Sequence, residues 1–515
     1  MNDESPSTKQ NEDAAFDDSS VERGVWRYAK AKRATVIVDA ENYFQAMQQA
    51  MLAARQRILL IGWDFDTRIH LAQGRKWYGK RGEGRYPSRL GSFILWLNRH
   101  RDDLDIRILK WSYGFFKFAG RGSMVLDLAR WFPHKRIDFH FDTAHPVGCS
   151  HHQKIAVLDN SLAVCGGIDM TTHRWDTRDH IETDPRRKRP RGSYYMPWHD
   201  ATMMLEGEAA DTLDDLGRDR WATAGGKTLS QIEVPEKSLW PEGLKAQFDN
   251  VEIGIARTRA EHDGRPQIDE IEQLFVRHIA RAKRFIYAES QYFASRTIAE
   301  CIARRMTEDD PPEIVIVNPV TADGWMEQQA MDLARARLVR SIAQKDLRGR
   351  FHVFVPFTGE EAIYVHAKIM IVDDEVLRIG SANMNNRSMG LDSECDVFID
   401  SQRAGNEHCT DGIAALRHSL LAEHCGLDES AVPGLLEHYG SMAVMIREID
   451  RNQRHLRPLE LPELGEMEQA LADSGMLDPE QPEQMFALPR DRPGLFRKGS
   501  VLRRPFSYIK KKVSK

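Results

Sequence analysis

Long apolar runs are missing from this 515-residue chain, and no stretch approaches 18 consecutive hydrophobic residues. No membrane-spanning helix is therefore expected. An apolar leader is missing too. Met1 to Gly24 is rich in Asp, Glu and Ser, so a Sec signal peptide is not expected, and export by another route stays open. Cysteine is sparse. Cys149, Cys165, Cys301, Cys395, Cys409 and Cys425 form no CxxC pair and no zinc-like cluster, which points to reduced, mostly buried thiols in a cytoplasmic protein and gives no dedicated metal motif. An excess of positive charge is also lacking. The formal net charge of -5 excludes a generally basic nucleic-acid binder but not a local basic groove. What remains, 41% hydrophobic and 29% charged residues, is an ordinary globular composition, and the length allows two lobes.

Two segments stand out within it. The first runs from His152 through Lys154 to Asp159 and on to Gly166-Gly167. The second runs from His366 through Lys368 to Asp373 and on to Gly380-Ser381. Each is HxKxxxxD followed by small residues, and every matched position is 214 residues from its counterpart. The surroundings repeat as well. Val36–Val38, Arg57–Gly62, Ile106–Leu109 and Ile137–Phe141 read as strands. Ala40–Ala54 and Ser88–Arg99 read as helices. Later, Phe285–Ala288, Ile314–Val317 and Phe351–Val355 read as strands. Thr297–Met306 and Trp325–Gln344 read as helices, the latter an outer one. This order predicts an internal duplication and an α/β fold, in which two sandwich halves related by a pseudo-two-fold axis meet at one active site. The expected divisions are an acidic, disordered 1–24, halves at 25–245 and 246–430, and an extension at 431–515.

The motif alternates as a strand should, and on a strand residues i and i+2 share a side, so His152 faces with Lys154 and His366 with Lys368. Two histidines and two lysines suit the cleavage of a phosphodiester. A neutral imidazole attacks phosphorus, and water or an alcohol later opens the adduct. A protonated imidazole supplies the leaving group's proton. The roles need opposite protonation states, so unlike environments are expected for the two rings. The lysines hold the non-bridging oxygens. The arrangement calls for no metal and no cofactor.

These residues resemble the phospholipase D superfamily, especially its eukaryotic-type branch. The resemblance runs from Arg57 to Leu427 and is carried by Ser150–Asp159, Gly166–Asp169 with Arg174–Asp176, Met196–Asp200, Arg220-Trp221, Glu289–Phe293, Tyr364–Lys368, Gly380–Ser388, Asp392–Glu394 and Ala422–Gly426. It implies that His152 forms a phosphohistidine, that His366 protonates the leaving group, and that Lys154, Lys368 and Asn383 bind phosphoryl oxygens. Asp169 occupies the place of Asn383 in the first copy. Asp159 and Asp373 belong to the motif, with structural pairing expected of them. Gly167 and Ser381 allow close approach, and Glu394 and Asp200 are candidates to fix the imidazole tautomers. His151 is expected to face away. Trp63–Phe65 and Gln291–Phe293 end strands that either line the cleft or pack against loops.

The implied activity is hydrolysis of glycerophospholipids to phosphatidic acid and free headgroup, with transphosphatidylation to alcohols. A cardiolipin synthase-like phosphatidyltransferase is the alternative, and a nucleic-acid phosphodiesterase is a more distant one. Phospholipid is the expected partner, nucleic acid is not, and a monomer is expected because both motifs lie in one chain. Two basic stretches invite a peripheral role at an anionic membrane. One is the loop Asp184–Arg191. The other is Arg490–Lys515, with ten Lys or Arg against one acid.

Overall fold

The computed structural model of the chain describes residues 23–75, 86–111, 122–321, 325–463 and 465. The segment expected to be disordered lies outside these except for its last two residues, and the basic tail Arg490–Lys515 lies wholly outside them.

The first half supplies strands β1 (Arg27–Val38), β2 (Arg57–Gly62), β3 (Asp105–Trp111), β4 (Ile137–Asp142), β5 (Ile155–Leu158), β6 (Leu162–Gly166), β7 (Trp198–His199) and β8 (Ala201–Gly207). The second half supplies β9 (Phe248–Arg259), β10 (Ile268–Asp269), β11 (Phe285–Glu289), β12 (Glu313–Val317), β13 (Phe351–Thr358), β14 (Glu361–Ala362), β15 (Tyr364–Val365), β16 (Ile369–Val372), β17 (Val376–Gly380) and β18 (Glu394–Asp400), with β19 (Arg454–Pro458) after it. Pairing runs β4-β3-β2-β5-β6-β8-β1 in the first half and continues β9-β18-β17-β16-β11-β12-β13 in the second. The second series is the first in mirror order, so the duplication is written into the ladder. The long antiparallel pair β1–β9 is its centre. In each copy the three outer strands are parallel and the rest antiparallel, giving a mixed sheet. The expected α/β architecture of duplicated halves is what the chain adopts.

The sheet buries both faces, which explains why its strands are apolar throughout rather than alternating with polar residues. Ile155 and Val157 of β5 and Ile369 and Ile371 of β16 enter one central core, shared by strands of both halves. Their neighbours Ala156 and Leu158 join the helix 40–53 and helix 90–100 layer of the first half. Met370 and Val372 join the corresponding layer of the second, with helices 270–281 and 296–305. Burial on both sides of every central strand is what holds the halves together.

Two expectations need correction. The His and Lys of each motif were read as part of the strand, but β5 begins at Ile155 and β16 at Ile369, just after the lysines. The histidines sit on the extended approach to the strand, free to point into the space between the halves. The segment after 431 was read as an extension separate from the second half. Over its described part it is continuous with that half. β19 adds antiparallel to β13, and the start of helix 442–448 is tied to Glu313 of β12 through the amides of Met442 and Ala443, 3.0 Å from its carboxylate. No helix among the described residues is long and apolar enough to cross a membrane.

Candidate active site

Each motif is held by the opposite half. The His152 amide donates to the Ser393 carbonyl at 2.9 Å, and the Ser393 amide donates to the Ser150 carbonyl at 3.0 Å. The His366 amide donates to the His199 carbonyl at 2.8 Å, extending the parallel pairing of Tyr364 with Trp198 and Val365 with His199. The residue after each of those partners is a buried carboxylate. Glu394 follows Ser393, and Asp200 follows His199. The side chains therefore cross. His152 Nδ1 lies 2.9 Å from both oxygens of Glu394, and His366 Nδ1 lies 2.7 Å from Oδ2 of Asp200. A carboxylate facing Nδ1 selects the tautomer with its proton there and leaves Nε2 as the reactive nitrogen.

The lysines repeat one geometry. Lys154 Nζ donates to the carbonyl of His152 at 2.9 Å, and Lys368 Nζ donates to that of His366. Lys154 also sits 3.6 Å from Asp169, while Lys368 reaches the amide oxygen of Gln291 at 3.5 Å. Asn383, in the place of Asp169, leaves its buried Oδ1 without a hydrogen-bond partner. The copies thus differ in charge beside the lysine. Ser381 Oγ donates to Glu394 Oε2 at 2.5 Å and Ser388 Oγ to Oε1 at 2.7 Å, so Glu394 is fixed by neutral hydroxyls. Gly167 has no room for a side chain, since a Cβ there would stand 2.1 Å from Asp200 Oδ1.

The electrostatics follow from burial. It lowers the His152 pKa well below the usual imidazole value, helped by the Lys154 and Lys368 charges. Burial does the same to His366, reinforced by Lys368, Arg174 and Lys154. The unlike environments expected of the two rings are thus absent from their own pKa directions, because the same two lysines bear on both. The difference lies in their partners. Burial pushes the Glu394 carboxyl up to about 8 but Asp200 only to about 6, where Lys368, Arg174 and His199 oppose it. Burial, with the Lys154 charge, pushes Lys368 down to about 7. Two imidazoles and a lysine that hold protons weakly in a buried pocket form a site that gains charge when an anion enters.

Asp159 and Asp373, grouped with the catalytic residues by motif membership, are not at this site. They lie beyond the far ends of β5 and β16. Each accepts three backbone N–H groups, from Arg55, Gln56 and Arg57 in one copy and from Lys283, Arg284 and Phe285 in the other. They clamp the motif strand to the start of its neighbour, the structural pairing anticipated for them. His151 faces away, 2.9 Å from Ser393 Oγ. Trp63 presents an edge to His152 at 6.4 Å between ring centres, whereas Phe65 and Phe293 are core residues. The basic loop Asp184–Arg191 is partly internal, since Arg187 is buried against Asp176 at 3.1 Å. Arg174 was quoted for the resemblance without a role. Its guanidinium lies 4.4 Å over the Trp198 ring, which stacks on Tyr364 and meets His366 at 5.3 Å. Ser388 was likewise quoted without a role. Only its position in space marks it, because nothing local links a serine six residues upstream of Glu394 to an imidazole on the other half.

Comparison with known proteins agrees with this geometry. A family model described as "Phospholipase D" matches residues 357–472, and one described as "Cardiolipin synthase, PLD-like domain" matches 275–411. Phospholipase D A of Dictyostelium discoideum is 25% identical over 434 residues, covering 70% of this chain and 32% of the relative. Phospholipase D1 of Saccharomyces cerevisiae is 23% identical over 502 residues, covering 77% and 29%. Phospholipase D alpha 4 of Arabidopsis thaliana is 23% identical over 505 residues, covering 75% and 64%. The chain thus spans between 29% and 64% of the length of these curated relatives. A crystal structure of a phosphatidylserine synthase from Haemophilus influenzae shares the fold, with a TM-score of 0.50 at 12% identity over 81% of this chain and 96% of that one. Doubled motif, mirrored strand order and these likenesses together make the chain similar to the phospholipase D superfamily, on its eukaryotic-type side.

Proposed function

We propose that the chain is a phospholipase D-type phosphodiesterase that converts a glycerophospholipid to phosphatidic acid and a free headgroup, and passes the phosphatidyl group to an alcohol when one is present. One observation carries the reading: each imidazole is oriented by a carboxylate of the other half, and the Lys154 and Lys368 charges bear on both rings, which supports reading the two Nε2 atoms as facing one anion pocket. His152 Nε2 attacks phosphorus and the bond to the headgroup oxygen breaks. His366, protonated once the anion has entered, gives that oxygen its proton. Water or an alcohol, deprotonated by the now neutral His366, then displaces His152. Lys154, Lys368 and the Asn383 amide bind the non-bridging oxygens. Glycerophospholipid as substrate rests on the names of the relatives. The cardiolipin synthase-like match over 275–411 favours transfer to an alcohol as a second reading. It needs no change in the chemistry, only a different acceptor. We read 25–245 and 246–430 as the two copies that share the site, a single chain as sufficient for it, and the surface of an anionic membrane as the place of action, with Arg490–Lys515 as an attachment.

The test is incubation with phosphatidylcholine, phosphatidylethanolamine or phosphatidylglycerol in the presence of ethanol. Phosphatidylethanol is expected, and Lys368→Ala is expected to lower its formation by about a hundred- to a thousandfold, the range for losing a donor to developing charge. Cleavage of plasmid DNA with no lipid product would overturn the reading.

A further inference from the structure

Behind the His366 side of the pocket lies a second cluster of buried titratable groups that the chemistry above does not use. His199, the residue before Asp200, is fully buried. Its Nδ1 is 2.7 Å from Glu423 Oε1 and its Nε2 is 2.7 Å from Glu289 Oε2. His180 is built the same way, with Nδ1 3.0 Å from Asp176 and Nε2 3.1 Å from Glu423. An ionised carboxylate offers only lone pairs, so a ring nitrogen facing one must carry a proton. Rings satisfied in this way at both nitrogens are imidazolium cations. Arg178 on the other oxygen of Glu423 outweighs the cost of burial and holds that acid well below the usual carboxylate range, and Arg187 pairs with Asp176 at 3.1 Å. Glu289 also accepts from Tyr287 at 2.6 Å and faces His424 at 3.0 Å.

Asp39 closes the cluster. Its carboxylate lies 3.5 Å from both His180 and His199. Its Oδ2 is buried without a hydrogen-bond partner, and Oδ1 accepts from the Asp200 amide at 3.1 Å. Asp39 stands at the start of helix 40–53 but makes no capping bond there, and its φ of 64° is left-handed. A non-glycine residue held in that region and turned away from the helix end it could cap is fixed by its surroundings. The cluster therefore ties together the start of the first half, β7 before Asp200, the end of β11 two residues before Gln291, and the closing helix 410–425 of the second half.

Among the described residues, no histidine with a carboxylate at both ring nitrogens stands behind His152; His151 there has its Nε2 unpartnered and lies 3.5 Å from Asp142 through Nδ1. The partner of His152, Glu394, is held by two serine hydroxyls, while Asp200 has the charged cluster at its back. We propose that His199 is a permanently protonated positioning residue, a charge clasp that holds Asp200 as a carboxylate and thereby assigns the acid role to His366 and the nucleophile role to His152. This rests on the function proposed above for its catalytic part. The double protonation stands without it. The raised pKa values of His180, about 9, and His199 agree with the geometry. With the His199 charge removed, Asp39, Glu289 and Glu423 face Asp200 with one cation fewer. Asp200 then takes up a proton more readily, and the imidazolium of His366 loses the anion that stabilises it.

Two measurements test the proposal. In histidine-labelled full-length protein, nitrogen-resolved NMR at pH 8 is expected to show at least two imidazole rings still protonated at both nitrogens. Absence of any such ring would overturn the clasp whether or not the protein turns over lipid. Elemental analysis of the same sample is expected to find no stoichiometric metal, and a bound divalent ion in place of the two protons would also overturn it. The second measurement is the pH profile of kcat for His199→Gln on whichever phosphodiester substrate the wild type turns over. Its basic limb is expected to move down by about one pH unit, the size of shift a lost neighbouring charge produces, with KM within about twofold. A uniform fall in kcat with the limb unmoved would overturn the positioning role while leaving the proposed function intact. Absence of turnover in the wild type would instead refute the proposed function and leave the NMR result to decide the clasp.

Discussion

Replacing Asp159 or Asp373 with alanine should cost stability and leave the chemistry alone. The two residues are superposable in their bonding. Asp159 Oδ2 accepts from Arg55 N at 2.7 Å and Oδ1 from Gln56 N and Arg57 N at 2.8 Å. Asp373 Oδ2 accepts from Lys283 N at 2.6 Å and Oδ1 from Arg284 N and Phe285 N at 2.8 Å. Both carboxylates are buried, and both residues have positive φ, 48° and 55°. Three N–H groups left unpaired, at about 1 kcal/mol each after water reaches some of them, give about 3 kcal/mol. Alanine in the left-handed region adds about 1 kcal/mol, a strain that Asp tolerates better. A loss of about 4 kcal/mol should lower the melting temperature by about 4 °C, because a chain this large has an unfolding entropy of about 1 kcal/mol/K. Asparagine should fall between, because its oxygen keeps two of the bonds while its NH2 group meets the third N–H head on. The assay is calorimetric unfolding together with kcat per folded molecule, which should stay within about threefold. A hundredfold fall in kcat with an unchanged melting temperature would refute the reasoning and return the motif aspartates to the chemistry.

Two further outcomes follow from the site. Gly167→Ala places a methyl group 2.1 Å from the Asp200 oxygen, so the carboxylate must shift. Turnover should fall about 10- to 100-fold, the range for disturbing an orienting partner, with lipid binding largely kept; unchanged turnover would show that Asp200 does not orient His366. Binding of tungstate, a phosphate mimic, should take up protons at pH 7.5 and weaken as pH rises through about 7. The sign follows from His152, His366 and Lys368, which hold protons weakly in the empty pocket and more firmly beside an anion. Titration calorimetry in two buffers of different ionisation heat reads the uptake, and an affinity flat from pH 6 to 8.5 would contradict it.

The amino-acid order by itself determined the duplication and named the residues on which the proposed chemistry rests. Strands buried on both faces must be apolar throughout, so Arg57–Gly62 is legible as a central strand from its sequence alone. Two HxK units on extended chain put imidazole and ammonium on one side by geometry alone. Tertiary structure decided which carboxylate meets which ring, because Glu394 lies 242 residues from His152 and Asp200 lies 166 residues from His366, and only their likeness to family positions hinted at the pairs. It also decided that the motif aspartates serve the backbone, that the chain after 431 continues the second half through β19, and that a buried cluster of histidines and carboxylates lies behind His366. These are consequences of desolvation and charge balance among side chains from distant segments, and neither quantity exists until the chain has closed around them.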